Sequence, residues 1–175
     1  TYNVIQVIKA TLSNTEWLCA TLYKQTLIVV EQNNMNHWIE EFDKWAPEIS
    51  LTVYHGRKRS MENCKSQVVL TTYRIVSSEC CLGAPISAFP FRRNVWRRIV
   101  LDNGPRNSET ILSRAIRRLR IARHGTKFIC TTTPIVKNLH DMVGYYTFLG
   151  IYPWNPDGSL FRSPKSLLWA MALTS

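Results

Sequence analysis

The side chains best suited to chemistry in this sequence are its arginines. Arg114, Arg117 and Arg118 fall at i, i+3 and i+4, a spacing that puts them on one face of a helix, and Arg120 and Arg123 continue the run. Arg92, Arg93, Arg97 and Arg98 form a second cluster, and Lys58 with Arg59 a third. A guanidinium is a planar fork of donors that matches a phosphate, so these clusters suit a polyanion. They also suit the plainer role of solvated faces. Twenty-two Lys and Arg stand against twelve Asp and Glu, a net charge of +10, which favours an anionic partner. One carboxylate stands apart. Asp102 closes the run Arg98-Ile99-Val100-Leu101, which places it at the end of a buried strand.

Other chemistries find no support. The five cysteines (Cys19, Cys64, Cys80, Cys81, Cys130) are odd in number and form no C-x-x-C pair, which argues against a disulfide framework and a zinc site. His37, His55, His124 and His140 lack metal-ligand spacing. There is no G-x-S-x-G motif.

These residues need a scaffold, and the apolar pattern supplies one. Thr26–Val30, Leu51–Tyr54, Gln67–Thr71, Arg98–Asp102 and Lys127–Thr131 read as five short strands. Continuous apolar runs of this length suit a parallel sheet covered on both faces. Helices are expected between them. Asn3 to Leu12 carries Val4, Ile5, Val7, Ile8 and Leu12; Met35 to Trp45 carries a stripe of Trp38, Ile39, Phe42 and Trp45. A third helix runs from Asn107 to Leu119 with Ser108 as N-cap, and a fourth from Pro134 to Phe148. Leu82 to Arg93, with Pro85 and Pro90, reads as a loop. Strand and helix in alternation mean an α/β domain, and such sheets bind ligands at the carboxyl ends of their strands. Asp102 and Thr131 to Thr133 lie at those ends.

The chain has 175 residues, 45% of them apolar and 19% charged, ordinary values for one globular domain. No apolar run approaches the ~18 residues of a membrane span. The start, Thr1-Tyr2-Asn3-Val4, has neither an initiator Met nor a basic leader, and reads as a cut through a longer design.

An ordered set of segments then carries a resemblance. His37-Trp38-Ile39-Glu40-Glu41-Phe42 follows the first strand. After it come Val53-Tyr54-His55-Gly56-Arg57, Val68-Val69-Leu70-Thr71-Thr72-Tyr73 and Trp96-Arg97-Arg98-Ile99-Val100-Leu101-Asp102, with Arg106-Asn107 beyond. Thr131-Thr132-Thr133-Pro134-Ile135, Asn138-Leu139, Phe148-Leu149 and Tyr152-Pro153 complete the series. In order and spacing it resembles the N-terminal lobe of the Swi/Snf helicase-like ATPases, most of all the branch of the helicase-like transcription factor and RING-containing DNA-repair translocases. The resemblance implies a RecA-like P-loop NTPase lobe, a mostly parallel sheet flanked by helices, over residues 1–162, with 163–175 an irregular tail. It implies ATP and Mg2+ as cofactors of the family, duplex DNA as partner, and a nuclear setting in chromatin remodelling or repair.

The family's motifs transfer position by position, and the chemical ones fail. A Walker A loop needs glycine N–H groups, a Lys on the phosphates and a hydroxyl on Mg2+. The resemblance puts Asn3 at the Lys position and Val4 at the hydroxyl position, with Gln6 matching the helix that follows. The family's D-E-x-H segment becomes Asp102-Asn103-Gly104-Pro105, so an amide replaces the carboxylate that handles the attacking water, a loss worth ~10²–10⁴ in rate. The coupling motif T-G-T-P becomes Thr131-Thr132-Thr133-Pro134, with a β-branched residue in the place of glycine, and two extra residues near Gly125-Thr126 precede it. Relatives complete their site with arginines from a second lobe, worth roughly 10³–10⁵; this chain ends at Ser175, before any such lobe. Asp102 remains a weak Mg2+ ligand or a vestige. Lys58, Arg59, Thr71, Thr72, Arg114, Arg117 and Arg118 are the residues expected to meet DNA, although Thr71-Thr72-Tyr73 also reads as a strand end with a packed tyrosine. The expectation is a degenerate lobe that binds no cofactor and hydrolyses nothing alone, and that is marginally stable. Alternatives are a non-catalytic DNA- or protein-binding module and an ATPase subunit completed in trans.

Overall fold

The computed structural model describes residues 1–13, 25–57, 59–61, 64–80, 93–136 and 139–151. Lys58, the loop proposed before Arg93, Asn138, Tyr152-Pro153 and the 163–175 tail lie outside them.

Five strands form one sheet: β1 (Thr26–Val30), β2 (Leu51–Val53), β3 (Val68–Thr72), β4 (Val95–Asp102) and β5 (Arg120–Cys130). Their order across the sheet is β2-β3-β1-β4-β5, and every pairing is parallel. All five expected strands are present. β4 and β5 begin earlier than their apolar runs, because Val95 and Trp96 pair with Arg120 and Ile121 through the backbone whatever their side chains. The β4–β5 pairing jumps from Trp96–Ile121 to Arg98–Thr126, so residues 122–125 bulge out of β5.

Helices cover both faces. On one, α1 (Tyr2–Ser13) and α2 (Met35–Trp45) bring Ile5, Ile8, Met35, Trp38 and Phe42 onto Ile28, Val30, Val68, Leu70 and Val100. On the other, α3 (Tyr73–Glu79), α4 (Ile111–Ile116) and α5 (Val143–Leu149) bring Tyr73, Val76, Ile116 and Phe148 onto Leu27, Val29, Val69, Ile99 and Leu101. A sheet buried on both sides explains the unbroken burial of β1 and β3. Each fully buried aliphatic or aromatic side chain contributes about 1.5–3 kcal/mol.

Three expectations about helices change. The third helix is shorter, Ile111–Ile116, and Thr110 caps it instead of Ser108, its hydroxyl accepting from Ser113 N–H. The fourth is confined to Val143–Leu149, preceded by a 3-10 turn at Leu139–Met142 and stopped by Gly150 with φ of 76°. Helix α3 was not expected at all. Thr72 leaves the strand and caps it, accepting from Ile75 N–H.

Candidate functional site

The order of strands reverses around β1. The chain goes from β1 to β2 on one side, and from β3 back over to β4 on the other. The carboxyl ends of β1 and β4 therefore flank the crevice in which ligands of such sheets usually bind. Asp102 stands there, at the end of β4.

Its carboxylate is occupied by the protein itself. Trp38 Nε1–H of α2 donates to Asp102 Oδ2 at 2.8 Å, and Asn34 Nδ2–H at 3.4 Å. On the other face Tyr73 donates its hydroxyl to the Asp102 carbonyl at 2.9 Å. Burial, and next the Asp102 charge, push the Tyr73 phenol well above its ordinary range, so it stays a donor. Asn103 follows with φ of 56°, the one described non-glycine residue in the left-handed region, and its N–H bonds Cys130 O at 2.8 Å. Asparagine tolerates that conformation better than most residues. Thr132 does not take a positive φ. Thr131 Oγ1 accepts from Thr133 N–H, Arg106 holds the Thr133 carbonyl at 2.9 Å, and Pro134 is exposed. Arg106 thus fastens the loop after β4 to the segment after β5.

At the start of α1, Asn3 is exposed, and Val4 and Gln6 are half-buried. Asn3, Val4 and Val7 form one wall of a cleft of about 240 Å3, and Phe128, Ile129 and Cys130 of β5 form the other. Arg98 lies at its floor. Its guanidinium bonds Thr11 Oγ1 and Thr26 Oγ1, and burial depresses its pKa to about 10. Among the described residues no group of three or more His, Cys, Asp or Glu could hold a metal ion.

The cationic chemistry lies at the carboxyl ends of β2 and β3. A cleft of about 480 Å3 opens between the loop after β2 and α3; His55, Arg57, Arg59, Thr72, Arg74 and Ser78 are among its walls. Thr72 Oγ1 accepts from Ile75 N–H and is almost fully buried, and Thr71 is fully buried with its hydroxyl donating to Tyr54 O. Arg59 is tied to Glu79, Nε to Oε1 at 2.8 Å, and donates to Gly56 O. Arg57 and Arg74 are exposed and enter no ion pair among the described residues. Sequence reasoning missed both. Arg57 was quoted only as part of a motif and Arg74 stood alone, and each gains meaning only when β2 and β3 are side by side. Arg114, Arg117 and Arg118 are not among the walls. They do not share a helix face either, since α4 ends at Ile116, and Arg118 donates to Cys80 O at 2.7 Å.

Residues 1–164 match the SNF2-related domain. The chain belongs to that family. It is 34% identical over 143 residues to DNA repair protein RAD5 of Kluyveromyces lactis, covering 76% of this chain and 12% of that protein. To the helicase-like transcription factor of Mus musculus it is 27% identical over 139 residues, covering 75% and 13%. Among solved structures, the Sulfolobus solfataricus SWI2/SNF2 ATPase core in complex with dsDNA has a similar fold, with a TM-score of 0.60 at 21% identity over 87% of this chain and 29% of that one. The fold is the RecA-like one of SNF2 ATPase cores, and the chain is homologous to DNA translocases of the repair and remodelling type. It spans about an eighth of the length of the curated relatives it matches.

Proposed function

We propose that residues 1–162 are the first RecA-like lobe of an SNF2-type DNA translocase, that the lobe meets duplex DNA through phosphates, and that it does not hydrolyse ATP by itself. The setting is nuclear, in repair or chromatin work, as the names of its relatives suggest. The observation that carries DNA contact is the cationic cleft, where Arg57 and Arg74 are exposed beside Thr72 and enter no ion pair among the described residues. A solved SNF2 core of similar fold was captured on double-stranded DNA, which supports the same polyanion here.

The residues aligned with the family's ATP-handling set do not fit ATP and Mg2+. At the first turn of α1, an amide (Asn3) and an isopropyl group (Val4) stand where an ammonium and a hydroxyl are needed, in a cleft whose walls are mainly apolar. Asp102 Oδ2 already accepts two hydrogen bonds, from Trp38 of α2 and from Asn34 just before it. Asn103 has no carboxylate to handle water. Thr132 lacks the freedom of the glycine it replaces in the coupling motif. We therefore derive no hydrolytic step for this chain alone.

The test is duplex DNA binding read against salt, alongside phosphate release. Binding by phosphate contact weakens as log K against log [salt] with a slope of about −0.9 per neutralised phosphate. Salt-dependent binding is expected, with no DNA-stimulated phosphate release above blank. Stimulated release that Asp102→Ala abolishes would overturn the catalytic part. Absence of binding at low salt would overturn the DNA part.

A further inference from the structure

We propose that the cleft between the loop after β2 and α3 is an anion site whose working cations are Arg57 and Arg74, and that Glu79 is a positioning residue that withholds Arg59 from it. This deepens the reading of that end of the sheet as the side that meets a phosphate backbone, and rests on it for the identity of the natural anion.

Glu79 is only 4% exposed and lies in the last turn of α3. A carboxylate there faces the wrong end of the helix dipole and has lost most of its water. Two groups compensate it. Arg59 Nε–H donates to Oε1 at 2.8 Å, and the Tyr54 hydroxyl donates to Oε1 and Oε2 at 3.1 and 3.3 Å. Arg59 also closes its own loop by donating to Gly56 O at 2.7 Å, and its guanidinium lies 5.7 Å from the Tyr54 ring centroid. Gly56, with φ of 79°, makes the turn that this closure needs. The consequence is a division of labour among three arginines in one cleft. Arg59 has its charge cancelled and two of its donors used inward. Arg57 and Arg74 stay exposed with no carboxylate partner among the described residues, so an incoming dianion meets those two forks first. The nearby hydroxyls offer little, Ser78 because it donates to Ile75 O and Thr72 because it is almost fully buried, so the guanidiniums carry the binding.

The experiment follows the arginine Nε–Hε signals by 15N NMR as inorganic pyrophosphate is added to the full chain. Arg57→Ala, Arg74→Ala and Arg59→Ala supply the assignments. In the unaltered chain the Arg57 and Arg74 signals should move together and saturate, while Arg59 stays still. In Glu79→Gln, which keeps the size of the side chain, Arg59 should join them. With duplex DNA, Arg57→Ala and Arg74→Ala should each flatten the salt slope by about 0.9, and Arg59→Ala should leave it unchanged. The idea fails if Arg59 moves with the others in the unaltered chain, or if no arginine moves. A Glu79→Gln variant that melts earlier but keeps Arg59 silent removes the positioning role. Should that variant fail to fold, the unaltered titration and the Arg59→Ala slope still decide the matter. Pyrophosphate binding without DNA binding would leave the anion site standing and overturn the duplex DNA reading alone.

Discussion

Asp102 and Asn103 stand side by side at the crevice of the sheet, and their neighbours determine what each can do. Asp102 has a carboxylate in the right place for metal chemistry but with Trp38 and Asn34 already bonded to it. The placement was legible in the sequence, because an apolar run ending in Asp is a strand end. The occupancy was not, since Trp38 lies 64 positions away and only the packing of α2 brings its N–H there. Asn103, which in the proposed reading stands in place of the motif's carboxylate, holds the left-handed turn, with φ of 56°. Asn103→Gly should keep or raise stability, because it removes a β-carbon that costs roughly 1–2 kcal/mol in that conformation, whereas Asn103→Ala keeps the β-carbon, loses the amide that helps asparagine tolerate the turn, and should be the less stable of the two. Urea unfolding midpoints of the two variants check this. Equal losses would mean that the side-chain amide matters more than the backbone.

Helix α2 was legible from end to end, and α3 was not. The stripe of Trp38, Ile39, Phe42 and Trp45 has helical spacing, and Met35–Trp45 is what forms. Within it the structure separates core from rim. Phe42 is 1% exposed, whereas Trp45 is 37% exposed and rests edge-on against Tyr2. Phe42→Ala should cost about 3–5 kcal/mol by loss of burial and a residual cavity, and Trp45→Ala well under half of that, in the same unfolding assay. Helix α3 escaped notice because Ile75 and Val76 are β-branched and continue an apolar strand; its start is set by the Thr72 cap and its packing is tertiary. The bulge in β5 and the shortening of α4 were hidden for the same reason: backbone pairing and capping, not side-chain period, define those ends.

Tyr54 gives the cleft loop a signature in alkali. Burial, and next the Glu79 charge and hydrogen bond, push its pKa up to about 12 from the usual 10. The folded state keeps a proton that the unfolded chain gives up first, so the stabilisation is whole below pH 10 and is lost as pH rises through about 12. Tyr54→Phe should remove that part of the alkaline slope while lowering stability near neutrality by about 1.5–3 kcal/mol, the usual worth of a hydrogen bond to a charged group. Midpoints measured at several pH values between neutrality and pH 12 decide it. An unchanged alkaline slope would show that Tyr54 titrates normally.

As a whole the molecule keeps the architecture of its family. The sheet order, the two covered faces and the family itself were readable from the succession of apolar runs and motifs, because each depends on many positions at once. The cationic cleft was only partly readable. Its arginines come from the loop after β2 and from α3, and in the proposed reading which of them faces an anion depends on Glu79, a single buried carboxylate. With a charge of +10 the chain suits a polyanion, while in the proposed reading its nucleotide positions hold an amide, an isopropyl group and a second amide. Titration of Mg·ATP into the purified chain, followed by calorimetry, tests that contrast most directly. The expected result is no saturable heat at tens of micromolar protein. A dissociation constant on the order of 1 μM, equivalent to about −8 kcal/mol, with one site per chain, would contradict it.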